Sequence, residues 1–181
     1  MNASSETRII PLSKKKILKM ILISVVFIFI GSWMLIAHPQ TSNPIINSPF
    51  VKYPSAVLSV VMGILGGYFF FQKLQDKRPA LILSSEGITD NSSAISAGFI
   101  PWSDITEVTS IKVSGQKMVV IQVHNPEEYI QRQPSSFKQR IMRTNLTRFG
   151  TCIAFSPSTV DIKFEDLLSE LQQRYINAQH A

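Results

Sequence analysis

The chain has 181 residues, 45% of them apolar and 17% charged, with a mean hydropathy of +0.14 and a net charge of +6. That length holds one folded domain plus a membrane anchor rather than two full domains, and the charged share is low for a soluble protein. Residues 1–78 carry nine Lys/Arg against two acids (+7) and residues 79–181 carry nine against ten (−1), so the basic balance does not describe a nucleic-acid-binding domain.

Residues 1–16 read as a basic tail. Two apolar runs follow, predicted to span a membrane as helices over 17–37 and 55–72. Met20–Ala37 and Pro54–Phe71 contain no Asp, Glu, Lys or Arg. At about 1.5 Å per residue each run covers about 27 Å, close to the thickness of a bilayer's hydrocarbon core. A cleaved signal peptide is the alternative for the first run, but no small-x-small cleavage site precedes His38-Pro39-Gln40. Lys14, Lys15, Lys16 and Lys19 precede the first run, and Lys73, Lys77 and Arg78 follow the second. The loop between them, 38–54, holds only Lys52. Cytoplasmic segments collect Lys and Arg, so both termini are expected in the cytoplasm with a short loop outside. The prolines of that loop are expected to favour an extended turn.

Ser59, Gly63 and Gly67, with Gly66 beside them, form a small-residue face that lets another helix approach closely. It packs either on the first span near Ser24, Gly31 or Ser32, or in a homo-oligomer through the second span. Spans without ionisable groups argue against a transporter or a proton path.

Residues 79–181 read as one cytoplasmic domain. Short strands are predicted at Ala80–Leu83, from Ile88, at Ala94–Ile100, at Ile105–Val113, at Lys117–His124 and at Thr151–Ser156. The alternation of Ile105–Val113 places Ile105, Glu107, Thr109, Ile111 and Val113 on one face. Asn125-Pro126-Glu127-Glu128 opens a helix, and Ser136–Leu146 forms a second, ended by Gly150. Phe164, Leu167, Leu168, Leu171 and Tyr175 make one apolar stripe on a final helix.

Short antiparallel strands closed by an amphipathic C-terminal helix resemble the pleckstrin-homology-like fold. The residues that carry the resemblance are LILSSEGI at 81–88, GFIPWSDI at 98–105, NPEEYI at 125–130 and RFGTCIAF at 148–155. The chain is most similar to uncharacterised bacterial inner-membrane proteins with two N-terminal spans before such a domain. The resemblance implies a membrane α-hairpin plus an α+β domain, the latter a partly open antiparallel β-barrel with inserted helices. It also implies the bacterial inner membrane as location.

No constellation indicates catalysis. His38, His124 and His180 are scattered without metal-ligand spacing, so no metal and no cofactor are expected. A lone cysteine, Cys152, in a strand reads as packing. Asp104, Glu107 and His124 are the candidates for an unrecognised enzymatic site, although Asp104 fits a turn cap and Glu107 a solvated strand face. The basic run Arg132, Lys138, Arg140, Arg143 and Arg148 contains no acid between its ends. Its helix is expected to bury Phe137, Ile141 and Leu146 and to offer its other face to anionic lipid or a protein partner, or simply to water. The function that follows is a non-enzymatic membrane-anchored binding module. A toxin-immunity factor or an accessory subunit of an envelope complex is the alternative. Nucleic acid is not an expected partner.

Overall fold

The computed structural model describes residues 6–93, 95–113 and 115–180. Residues 1–5 of the basic tail, Ala94 at the start of one expected strand, and Ala181 lie outside the described residues. The chain forms two compact units. One is Lys14–Lys77, and the other unites the residues before it, up to Ser13, with those after it, from Arg78.

The first unit is a helical hairpin of α1 (Lys14–Ala37), the single turn α2 (Pro44–Asn47) and α3 (Pro49–Gln75). Both long helices are apolar enough to cross a membrane, and only 11% of the most apolar stretch of each is buried. Large side chains such as Phe29, Ile36, Leu58 and Leu65 face outward. A core helix of a soluble protein would bury them. Where α1 and α3 approach each other most closely, small residues stand. A Cβ on Gly63 would lie 2.8 Å from the Ser24 carbonyl oxygen and 2.7 Å from Ile28 Cγ1, and one on Gly31 would lie 2.7 Å from the Ala56 carbonyl oxygen. Ser59 Oγ donates to the Phe27 carbonyl at 2.9 Å.

The helices outrun the expected spans, and the prolines explain why. Pro44 and Pro49 take first helical positions, where a missing N–H costs nothing, so they start α2 and α3 instead of holding the loop extended. Pro54 lies inside α3, where it leaves the Phe50 carbonyl without its helical donor.

The second unit is α+β, with two antiparallel sheets, neither closed into a barrel. The first has the order β1 (Arg8–Ile10), β2 (Leu81–Leu83), β3 (Gly87–Asp90), β4 (Gly98–Pro101). A 3-10 turn, Trp102–Asp104, leads to the second, ordered β5 (Ile105–Val113), β6 (Gln116–Val123), β7 (Ile153–Phe155). Helices α4 (Pro126–Gln131) and α5 (Ser136–Phe149) fill the connection from β6 to β7, and α6 (Phe164–Gln179) follows.

Strand β1 belongs to the segment read as a tail. Ile10 pairs opposite Leu81 in β2 and is 2% exposed in the common core. Ser13 N donates to the Thr159 carbonyl at 2.8 Å, and Asp161 N to that of Pro11 at 3.0 Å. The chain therefore enters this sheet, leaves it for the whole hairpin, and returns to pair with the strand it left.

Strand β4 starts at Gly98, later than expected. The buried Asp90 carboxylate gathers the preceding loop, accepting from Ser92 N at 2.8 Å, Ser92 Oγ at 2.6 Å and Ala97 N at 3.0 Å. Strand β5 keeps its expected bounds but not its simple alternation. A bulge between Ile105 and Glu107 puts Ile105 and Val108 into the core together and leaves Glu107 exposed, because an extra residue turns the rest of the strand over. Gly87 is required where β3 passes β4, since a Cβ there would lie 2.2 Å from the Ile100 carbonyl oxygen. Leu167 and Leu171 of α6 are fully buried. Gln172 Nε2 reaches the Val108 carbonyl at 3.0 Å and Tyr175 Oη that of Thr106 at 2.7 Å, so α6 seals the bulged end of β5.

Candidate functional site: the outward face of α5

Helix α5 contains no acid, and it ends at Gly150 in the left-handed conformation, with φ +73°. Met142 is its fully buried residue, and Leu146 packs partly against the core. At about 100° per residue these two fix the inward direction, and Phe137, Arg140, Thr144 and Arg148 then share the opposite face. Phe137, expected inside, is 71% exposed. The core takes Met142 instead.

The five basic residues divide into two groups. Arg132 bonds Glu128 one turn back and lies 4.7 Å over the Tyr129 ring. Its Glu128 hydrogen bond raises its already high pKa. Arg143 pairs with Glu127 at 2.6 Å. Lys138, Arg140 and Arg148 make no ion pair among the described residues. The two acids at the start of α4 thus neutralise two of the five cations; of the other three, Arg140 and Arg148 share the outward face with the exposed Phe137, and the half-buried Lys138 lies nearer the inward side.

Helix α4 is held in place from below. Tyr129 is fully buried and donates to Asp104 Oδ2 at 2.6 Å. Burial first, and the Asp104 carboxylate second, push the phenol well above its ordinary range, so it stays a donor. Asp104 thus serves the turn and Tyr129. Glu107 is exposed and accepts from Gln122 Nε2 at 2.8 Å. His124 meets Asp104 only through its backbone N–H, 3.0 Å from the Asp104 carbonyl. The structure does not bring the three side chains together as a reacting group. Cys152 is buried, and burial raises its thiol from 9.0 to about 11. Its Sγ lies 3.6 Å from the Pro126 carbonyl oxygen, which suits a packed thiol, not a nucleophile. Among the described residues, no three His, Cys, Asp or Glu side chains converge as a metal site would need.

At least two grooves indent this unit among the described residues. One, of about 680 Å³, is lined by Glu6, Arg8, Asp166, Glu170 and Arg174. Its charges answer each other: Arg8 lies 2.7 Å from Glu170, and Arg174 bonds Glu170 and the Glu6 carbonyl. The other, of about 460 Å³, runs past Ile82, Thr89, Arg132 and Gln133.

Of the cations placed at the ends of the spans, Lys14, Lys15, Lys19, Lys77 and Arg78 are exposed and Lys16 is half-buried. Lys73 is buried, with Nζ 3.3 Å from Asp76. The small-residue face lies against α1: a Cβ on Gly66 would be 3.2 Å from Ser24 Oγ, and one on Gly67 3.6 Å from Ser24 Cβ.

Compared with known proteins, the chain matches no family model, no curated protein and no solved structure.

Proposed function

We propose that this protein is a non-enzymatic, membrane-anchored binding module. The hairpin of α1 and α3 spans the bacterial inner membrane, and the sheet domain works at its cytoplasmic surface. Seven strands among the described residues, in two antiparallel sheets with the amphipathic α6 packed on the second, support the pleckstrin-homology-like reading of that domain. The pairing of β1 with β2 supports a common side for both ends of the hairpin, because the two strands flank it in sequence and share one sheet. An even number of crossings satisfies that requirement and a single crossing does not. The Lys/Arg at the ends of the spans favour the cytoplasm as that side.

The observation that carries the binding role is the outward face of α5, with two cations free of acids, Arg140 and Arg148, beside the exposed Phe137. Anionic lipid attracts each basic residue by about 1 kcal/mol near the surface. Two amount to about 2 kcal/mol, ~30-fold in occupancy. An environment-sensitive dye on Phe137→Cys, in a Cys152→Ala chain held in lipid nanodiscs, reports the contact. Its emission should shift to the blue when phosphatidylglycerol is present. It should stay unshifted in pure phosphatidylcholine, or when Arg140→Glu and Arg148→Glu are added. Identical spectra in all three cases would remove the lipid contact and leave a protein partner for this face.

A further inference from the structure

The connection between the two long helices is a folded tip in which the polar residues His38 and Gln40 to Asn43 are exposed and a group of apolar side chains is exposed after them. Asn43 Oδ1 caps α2 by accepting from Ile45 N at 2.9 Å. Thr41 N donates to Asn47 Oδ1 at 2.9 Å, and Asn47 Nδ2 returns a bond to the Thr41 carbonyl. Ser48 N closes on the Pro44 carbonyl at 3.1 Å. Much of the polar backbone and both asparagines are thus satisfied from within, and Pro44 and Pro49 remove two more donors at helix starts. From Pro44 on, the large side chains that point outward are apolar: Ile45, 69% exposed, and Phe50, 91% exposed, with Ile46 and Val51 beside them. The one ionisable amine of the tip, Lys52, is 6% exposed, and its Nζ donates to the Pro39 carbonyl at 2.6 Å. Water asks for the reverse arrangement, whereas a lipid environment demands internal polar partners and apolar surface.

The length of α3 points the same way. Lys73 to Phe50 is 23 residue steps, about 35 Å at 1.5 Å per residue, a few ångströms more than the hydrocarbon core. With Lys73 at one interface, Phe50 falls at the other, in continuity with the apolar belt of α1 and α3.

We infer that the tip is itself a membrane contact. Ile45, Ile46 and Phe50 insert at the boundary of acyl chains and headgroups in the far leaflet, and Lys52 is folded inward to allow it. The inference rests on the hairpin's spanning a membrane, and the test separates the two.

A fluorescent nitrobenzoxadiazole label is placed on Phe50→Cys, and in a second chain on Ile46→Cys, both in a full-length Cys152→Ala chain reconstituted in phosphatidylcholine vesicles. Labels on Ile36→Cys, within α1, and on Lys112→Cys, in the sheet domain, serve as references. The labels at 50 and 46 should be quenched by lipid carrying a nitroxide near the headgroup, to a degree comparable with position 36. They should resist aqueous iodide, which quenches position 112. Quenching at 36 but not at 46 and 50, with iodide reaching the latter two, would overturn the inference and leave the span standing. Protection at 46 and 50 from both quenchers would overturn it in favour of a second copy covering the tip. Absence of lipid quenching at 36 as well would overturn the span.

Discussion

Removing residues 6–13 should cripple the sheet domain, although the whole hairpin separates them from it in sequence. Ile10 is 2% exposed in the core, and truncating such a residue to Ala costs about 2–5 kcal/mol. Loss of the strand also strips Arg174 of its Glu6 acceptor and Glu170 of Arg8, at about 1–3 kcal/mol for each buried polar group left without a partner. The sum, about 4–11 kcal/mol, is comparable with the whole stability of an ordinary domain, about 5–15 kcal/mol. The assay needs a chain in which a short Gly/Ser linker replaces residues 14–77. Ile10 and Leu81 lie opposite each other in an antiparallel pair, about 5 Å apart, so such a linker closes easily. Trp33 goes with the replaced segment, and Trp102, 5% exposed with Nε1 bonded to the Ser84 carbonyl at 3.0 Å, becomes the sole tryptophan reporter. Urea unfolding followed by its fluorescence should be cooperative for the linked chain and absent, or shifted far down, for residues 78–181 alone. Ile10→Ala should fall between, with a Tm lower by about 10–20 °C. Equal midpoints for the linked and truncated chains would refute the place of β1 in the fold.

Other consequences are as direct. Ser24→Cys with Gly67→Cys, in a Cys152→Ala chain, should oxidise to an intrachain disulfide, because the two Cβ atoms would lie 3.6 Å apart; only covalent dimers on a non-reducing gel would place the small-residue face between copies instead. Gly63→Leu should separate α1 from α3, since even its Cβ meets the Ser24 carbonyl at 2.8 Å. A loss of about 1–3 kcal/mol in detergent-denaturant titration of helicity is expected, and no loss would contradict the packing. Tyr129→Phe should cost about 1.5–3 kcal/mol, the worth of a hydrogen bond to a carboxylate, in thermal unfolding; a neutral change would mean that Asp104 does not hold α4. Cys152 keeps its proton more tightly folded than unfolded. Its contribution is therefore complete below about pH 9 and is lost as pH rises through about 11. Thiol reagents at pH 8 should react only on unfolding, and Cys152→Ala should flatten the alkaline decline in Tm; fast labelling of the native protein would contradict its burial.

The elements written in strong local patterns were legible in the sequence. The two charge-free runs, the amphipathic α6 and the β5–β6 hairpin announce themselves through periodicity and length. Strand β1 was not, because Arg8-Ile9-Ile10 carries too little local signal and its partner lies beyond the hairpin. The outward face of α5 was half legible. The basic residues stood out, but Phe137 and Met142 are both large apolar residues of one helix, and only the packed core, which takes Met142, decides between them. Lys52 looked like a stray external charge because its partner is a backbone carbonyl, which no side-chain pattern marks. The bulge in β5 is a register event, equally silent in composition.

The claim on which the rest depends is that the strand before the hairpin and the domain after it lie on one side of a membrane, with the tip on the other. Single cysteines at Glu6, Ser42 and Gln179, all exposed positions, in a Cys152→Ala chain expressed in bacteria, test it with a membrane-impermeant maleimide. In intact spheroplasts Ser42→Cys should label while Glu6→Cys and Gln179→Cys do so only after permeabilisation. Opposite behaviour of positions 6 and 179, or labelling of all three alike, would contradict the account.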